Sequence, residues 1–480
     1  MLDLYFRDES KDVSRKVNAK NNKKTRDSSY EDSHSNEHQT PHLAFAPEEI
    51  KPNQQPPFAT GYQYLCVLSI TPNPSRDTSS EAINYFLGSF LEASHFEYLR
   101  GVDCSASDQE PLAATTRSAA MASLAIELRE PRLMNAARSQ YAHALASTNA
   151  ALRHPEDAVK DSTLISVLLL GLFEILAFEG RQSPDSWTAH TQGAAALIQL
   201  RGKSQFETEL GRRLFLQVAN NIRLSSVQRK VRLPLDFLEL ESQALTFMDR
   251  RDPLLRLSSL TDSLTNLRAD MAQGRLVDAE AIIERALKIN KDAMLLIDGV
   301  LPSYDILEGH QAPSWSFRST AHRYPNLRAA LFWNSVRMIR LFVNEWIYQQ
   351  TVIILRDAQA QSWTSASEGL RDLQSLASEV VQQMVLDILA SIPQFTHLAT
   401  NSPPLSSRFL ILPLSAAGET CLCPPDARAY IINSLRILGN LSRVPQALQA
   451  ADMLEETKPL EDWYVSLSAS ALNGRHYAIR

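Results

Sequence analysis

Three side chains with complementary chemistry lie at helical spacing in the second half of the chain: Trp333, Arg337 and Arg340. Residues three, four or seven positions apart share one face of a helix. Two guanidinium groups on such a face would hold a carboxylate through paired N–H donors. The pattern therefore predicts a contact for a carboxylate-bearing effector. The structural alternative is an arginine packed on the ring of Trp333.

Histidine and cysteine spacings that suit metal or redox chemistry occur twice. His34, His38 and His42 are four residues apart, but a proline and many Ser and Asn residues around them favour incidental spacing. Cys421 and Cys423 form a single Cys-x-Cys in a proline-rich loop, and no second pair accompanies them. We therefore predict no metal-binding residues.

The tripeptide Gly202-Lys203-Ser204 resembles the end of a phosphate loop. Such a loop needs a further glycine five residues earlier, where this chain has Leu197, and a preceding strand, where a helix is predicted. We interpret Gly202 as a helix end and His190 as a hydrogen-bonded core histidine. The chain has no G-x-S-x-G, H-E-x-x-H or G-x-G-x-x-G motif. We predict no catalytic or cofactor-binding residues, and an enzyme with an unrecognised site stays an open alternative.

Two buried helices are predicted between Asp161 and Gly202. Apolar residues recur at helical spacing in the first helix, Asp161 is its expected N-cap, and Gly202 closes the second. A buried stripe on the second helix contains Trp187 and His190, so Trp187→Ala should cost roughly 3–5 kcal/mol. The apolar run is shorter than the ~20 residues that a membrane span needs.

The whole chain after about residue 80 reads as helical. Predicted helices cover 82–99, 111–128, 131–152, 161–178, 184–201, 207–221, 255–271, 276–297, 327–356, 366–389, 426–441 and 445–456. A linker over 302–325 and prolines between 393 and 413 separate the later ones. We predict an all-α fold, a multi-helix array of antiparallel helices, over residues 81–480. Residues 1–80 are predicted to be a disordered, polar linker.

Composition narrows the function further. The chain has 480 residues, 44% of them apolar, a net charge of −6 and four cysteines. These values exclude a globally basic nucleic-acid binder and fit a reducing compartment. No apolar segment follows a basic start, so no signal peptide is predicted. One basic cluster, without an intervening acid, suits nuclear import or contact with DNA phosphates, the alternative being a solvated linker. Its members are Arg15, Lys16, Lys20, Lys23, Lys24 and Arg26.

Several separated segments resemble the regulatory domain of fungal zinc-cluster transcription regulators, in the order of that family. They are A-R-x-x-Y from Ala137, D-x-x-L from Asp161 to Glu174, W-x-x-H-x-x-G-A from Trp187, W-N-x-x-R-x-x-R from Trp333, A-S-I-P ending at Pro393, and P-L-x-x-A-G from Pro413. The signature residues are Asp161, Gly171, Glu174, Trp187, His190, Gly193, Arg201 and Gly202. The resemblance implies a nuclear transcription regulator, not an enzyme.

One part of that family's pattern is missing. Its binuclear zinc cluster needs six cysteines, whereas no cysteine precedes Cys66 and no Cys-x-x-Cys occurs. We therefore expect this chain to bind no zinc, unless a cluster lies upstream of the sequence. It would act with the transcription machinery or a DNA-binding partner protein, and a small-molecule effector and a homodimer are further partners to test. The alternative is a ligand-binding or scaffold protein without a nuclear role; no membrane partner is expected.

Overall fold

Helices make up most of the described structure. The computed structural model describes residues 78–91, 94–104, 111–177, 185–298, 304–360, 367–396, 406–441 and 444–456. These residues form 15 α-helices and one two-stranded sheet. The predicted all-α fold, with no sheet larger than a hairpin, is confirmed for this part of the chain. The basic cluster and the three spaced histidines lie outside the described residues.

The first eight helices share one hydrophobic core. They are α1 (Thr78–Tyr85), α2 (Pro111–Glu127), α3 (Pro131–Leu152), α4 (Pro155–Ala158), α5 (Asp161–Leu176), α6 (Asp185–Arg201), α7 (Glu209–Arg229) and α8 (Leu235–Ala244). Phe86, Leu169 and Phe215 are fully buried in this core. Helix α5 is apolar on nearly every face and packs against α2, α3 and α6, as expected for a central helix.

Seven further helices complete the array. They are α9 (Pro253–Ala272), α10 (Ala279–Asp298), α11 (Leu327–Ala360), α12 (Ser367–Phe395), α13 (Ile411–Glu419), α14 (Pro425–Leu441) and α15 (Pro445–Glu455). Helix α11 is shared by two cores, because Val336 and Val343 pack with α9 and α10 while Leu341 packs with α12 to α15. Between these two faces lies a polar seam formed by Asn334, Arg337, Arg340 and Asn344.

A buried arginine joins the two groups of helices. Arg223 on α7 donates to Glu241 on α8 and, with Nε 2.6 Å from Oδ1, to Asp262 on α9. Its guanidinium also lies over the Phe237 ring. Breaking such a buried pair costs about 3–5 kcal/mol, so it holds α9 in place on α7.

Two predicted segments have a different structure. The helix over 82–99 is wrong: α1 ends at Tyr85, a five-residue π-helix follows (Phe86–Phe90), and a 3₁₀-helix covers Glu97–Gly101. Gly88 lies in the π-helix, and glycine weakens a regular α-helix. The linker over 302–325 is also wrong, since it contains strands β1 (Asp305–Glu308) and β2 (Thr320–Arg323). Packing of β2 on α12 provides the support that so short a hairpin lacks alone.

Helix boundaries differ at three further places. Helix α8 was not predicted, although Phe237, Leu240 and Ala244 bury one helical face. Pro393 lies in the last turn of α12, where a turn was expected. Pro413 is the third residue of α13, a position whose N–H has no partner within the helix. Proline therefore does not break either helix.

One helix in the described part of the chain, over Glu368–Phe395, is long and apolar enough to cross a membrane by length and composition alone. Its residues Val385 and Ile388 are fully buried among α11 and α13 to α15. We interpret it as a core helix.

Candidate functional site

The signature residues hold α5 and α6 together in an antiparallel pair. The Asp161 carboxylate, at the start of α5, accepts a hydrogen bond from Arg201 at the end of α6. Further along, the position where Gly171 would carry a Cβ is 3.5 Å from Cβ of His190. Asp161 was predicted to be the N-cap, which is wrong: Lys160 occupies that position, and the carboxylate of Asp161 binds Arg201 instead.

A tyrosine from α3 closes the other end of this pair. The hydroxyl of Tyr141 donates to the Glu174 carboxylate on α5 and is 3.5 Å from Nε2 of His190 on α6. Its ring stacks on Phe173 at 4.4 Å between centroids. Burial lowers the pKa of His190 to about 4, so the imidazole is neutral at physiological pH. A buried, neutral histidine of this kind suits packing rather than acid–base chemistry.

The end of α6 is closed as a helix terminus. Gly202 has a φ of 58°, the left-handed conformation that favours glycine after a helix. The side-chain nitrogen Nε2 of Gln205 donates to the carbonyl oxygens of Ile198, at 2.8 Å, and Gly202, at 2.6 Å. This geometry matches the interpretation of the G-K-S tripeptide as a helix end. Gly193 lies inside α6, and the side chain of Trp187 lies outside the described residues.

Arg337 is the centre of a buried network in the polar seam of α11. Its guanidinium donates to Tyr324 Oη, to Asn334 Oδ1 at 2.9 Å and to His322 Nδ1 at 3.1 Å. The residue is only 2% exposed. Because a guanidinium can only donate, Nδ1 of His322 must accept and carries no proton. Burial, reinforced by the Arg337 charge, lowers the pKa of His322 to about 3, which keeps that form.

Three aromatic rings surround the same guanidinium. The rings of Tyr304, Tyr324 and Trp333 lie 5.0, 5.7 and 5.9 Å from the Arg337 guanidinium carbon. Tyr304 also meets Trp333 edge to face. Contacts of this kind add about 0.5–2 kcal/mol each when desolvated. The geometry of Arg337 is that of the structural alternative, an arginine packed on Trp333.

Arg340 lies one turn further along the seam and donates fewer hydrogen bonds than Arg337. Its Nε donates to Asn290 Oδ1 on α10 at 3.2 Å, and Asn344 donates to the same oxygen at 3.0 Å. The carboxylate of Asp387 on α12 acts on the charge of Arg340 and lies 3.9 Å from Nε of Arg337. Burial lowers the pKa of Arg340 and raises the pKa of Asp387. Two guanidinium groups therefore share one carboxylate at this edge.

Sequence reasoning did not find the partners of Arg337 that lie outside α11. Tyr304, His322 and Tyr324 come from the segment predicted as a linker, and no spacing relates them to α11. Tyr141 and Glu174 were recognised as motif residues, but their hydrogen bond joins positions 33 residues apart. A charged residue within an otherwise apolar helix, such as Glu174, was the available signal.

The remaining candidates form no site of their own. Cys421 is exposed and Cys423 is buried, and burial raises the pKa of the Cys423 thiol to about 11. A thiol with so high a pKa is a poor nucleophile. In the part of the chain that the structure describes, no three His, Cys, Asp or Glu side chains are grouped to hold a metal ion.

Comparison with known proteins gives the signature helices a context. Residues 67–229 match the family described as the fungal specific transcription factor domain. In this segment the chain is similar to that domain. The match ends with α7, so it contains the whole α5–α6 pair and leaves the Arg337 network outside it. This family is one of transcription factor domains rather than enzymes, and it implies a nuclear location.

A curated relative of the chain is also a transcription factor. The chain is similar to the transcription factor dbaG of Emericella nidulans, with 21% identity over 360 residues, which cover 71% of this chain and 81% of the relative. No solved structure matches the chain. The two matches support a role in transcription regulation, with DNA or the transcription machinery as the partner.

Proposed function

We propose that this chain is a transcription regulator whose helical domain passes a signal to the transcription machinery. The observation that carries the proposal is the match of residues 67–229 to a fungal specific transcription factor domain, together with the structure of its signature residues. Asp161, Arg201, Tyr141 and Glu174 form ion-pair and hydrogen-bond contacts at both ends of α5 and α6. These motif residues thus build a core unit, in keeping with a domain that works by contacts rather than catalysis.

We further propose that specific DNA binding is supplied by a zinc cluster or a partner protein beyond these residues. Specific readout needs side chains placed against base edges. The four cysteines of this sequence cannot supply the six thiolates of a binuclear zinc cluster. A net charge of −6 also gives no general attraction to DNA. The basic cluster between Arg15 and Arg26 is proposed to direct nuclear import.

The edge of the polar seam at Arg340 is our proposed effector contact. Arg337 directs its donors to its own network, whereas Arg340 donates to a single described partner, Asn290. One carboxylate, Asp387, faces both guanidinium groups. A carboxylate-bearing effector would balance the second positive charge and add paired hydrogen bonds.

The test uses the full chain fused to a DNA-binding module of known specificity. A reporter with the matching site should change its transcription several-fold compared with the module alone. The fusion of a Tyr141→Phe, Glu174→Gln double variant should lose most of this effect if the α5–α6 unit must be intact. A folded, nuclear fusion that leaves the reporter unchanged would refute the proposal.

Import is tested separately with a fluorescent fusion of the full chain. Changing all six members of the basic cluster to alanine should abolish nuclear enrichment. Unchanged enrichment would remove the import role but not the regulatory one, since the reporter assay can use an added import signal.

A further inference from the structure

Three arginines gather around one buried aspartate where α7, α9 and α10 meet. Arg232 follows α7 and binds Asp270 with both Nε and Nη2, at 2.6 and 2.7 Å. Nε of Arg275 lies 3.0 Å from the same carboxylate, and Nη1 of Arg285 lies 3.1 Å from it. We call Arg232, Arg275 and Arg285 the arginine triad.

The triad carries more positive charge than its anchor can balance. Asp270 is 2% exposed, and the hydrogen bonds from Arg232, then those from the other two arginines, hold its pKa well below the usual range. It therefore stays ionised and contributes one negative charge against three positive ones. In the described part of the chain, Asp270 is the only carboxylate paired with the triad. The excess is two positive charges.

The excess charge faces solvent. The side chains of Arg232, Arg275 and Arg285 are 54, 42 and 49% exposed. Arg285 uses one N–H for Asp270, and Arg275 uses Nε for Asp270 and Nη1 for Gln273. Each guanidinium carries five N–H groups, so most of those on Arg285 remain free to donate. Asp270 orders the three side chains, which reduces the entropy that a ligand would otherwise lose in ordering them.

A purely structural anchor does not require three cations. The two oxygens of a carboxylate offer about four acceptor sites, and the four N–H groups donated to Asp270 fill them. The two contacts from Arg232 alone would tie the segment after α7 to α9. Arg275 and Arg285 then add repulsion between like charges, which an external anion would relieve.

We propose that the arginine triad binds a phosphate monoester or inorganic phosphate. Such a group carries about −1.5 to −2 charge at neutral pH and three strong acceptor oxygens, which match the charge excess and the number of arginines. A phosphodiester or a single carboxylate carries only one negative charge. Nucleic acid would in addition call for a stripe of cations along its backbone, whereas the triad is one compact centre. This site is independent of the effector contact at Arg340.

The test is calorimetric titration of the full chain with inorganic phosphate at constant ionic strength near pH 7.5. The unmodified chain should show one saturable site. Arg285→Gln should bind at least about tenfold more weakly, because it loses a charged hydrogen-bond donor. This variant should fold, since Asp270 keeps its contacts with Arg232 and Arg275. Arg213→Gln removes an exposed arginine on α7 that pairs with Glu209, and should bind like the unmodified chain.

Four results would overturn the proposal: no saturable binding, equal binding by Arg285→Gln, equal heats with nitrate, or tighter binding of duplex DNA that depends on Arg285. If Arg285→Gln fails to fold, Arg285→Lys replaces it. Lysine keeps the charge without the planar fork, so binding should weaken but persist. A phosphoserine peptide, with its unphosphorylated form as the control, identifies the source of the phosphate group. If the phosphoserine peptide binds more tightly than inorganic phosphate, the ligand is a phosphorylated protein.

Discussion

Replacing Arg337 with methionine should destabilise the helices around α11 by about 3 kcal/mol, near the lower end of the cost of breaking a buried charged network. Methionine fills much of the same volume, so the cavity contribution is small. The loss comes from the hydrogen bonds that Arg337 donates to Tyr324, Asn334 and His322. His322 Nδ1 would keep the Tyr324 hydroxyl, at 3.2 Å, as a donor. Contacts with three aromatic rings are lost as well.

Two effects keep the expected loss near the lower end of that range. Folding of the variant no longer removes a guanidinium group from water. Asp387, which loses its charged neighbour, can turn to solvent because its side chain is 18% exposed. Arg340→Met is the matched comparison on the same helix. Arg340 donates to one neutral partner and is only partly buried, so its loss should cost about 1 kcal/mol.

The assay is urea unfolding of the full chain, followed by tryptophan fluorescence and circular dichroism. A lower midpoint with an unchanged slope reports a loss of stability. If Arg337→Met costs less than about 1 kcal/mol, or no more than Arg340→Met, the network does not stabilise the fold as we argue. If Arg340→Met alone changes the reporter response of the fusion, the effector contact at Arg340 gains support.

Three further predictions concern two buried histidines, one closely packed glycine and the missing zinc ligands. The folded pKa values of His190 and His322, about 4 and 3, lie below the ordinary value of 6.5, so the unfolded state binds more protons as pH falls through 6.5. Unfolding in urea at pH 7 and 5 should show a loss of about 2 kcal/mol for each histidine, and a constant stability would contradict this. Gly211→Ala should cost about 3 kcal/mol, because its Cβ would lie 1.9 Å from the carbonyl oxygen of Gln205, whereas Gly369→Ala, with open space around it, should be neutral or slightly stabilising. Elemental analysis should find no stoichiometric zinc in the purified chain, and two zinc ions per chain would overturn our interpretation of the missing cysteines.

Local pattern was enough to predict most of the helices. The spacing of apolar residues located α2, α3, α5, α6, α14 and α15 to within two residues at each end where the ends are described, because a helix that buries one face repeats every 3.6 residues. The signature motif at Trp187 and His190 was also readable from the residues alone, and it led to the domain that the family match later supported. Local pattern was less reliable at Gly88 and at the two helical prolines, where position within the helix decides the outcome.

The partners of each polar side chain depended on the tertiary structure. Asp161 was assigned to its own helix end, but the approach of α6 offers it Arg201, a charged donor from 40 residues away. In the sequence, Arg337 and Arg340 are two arginines on the same predicted helix face as Trp333, and nothing distinguishes their roles. The hairpin encloses the first and leaves the second at an edge, because Tyr304, His322 and Tyr324 fold back over one turn of α11 only. The arginine triad and Asp270 bring together residues 5 to 53 positions apart in the chain, and no sequence period connects them. Sequence alone therefore determined most of the helices and the family that they resemble, because both depend on short-range spacing. The tertiary structure decided which charges are neutralised and which remain available to a ligand, because that depends on distances between helices far apart in the chain.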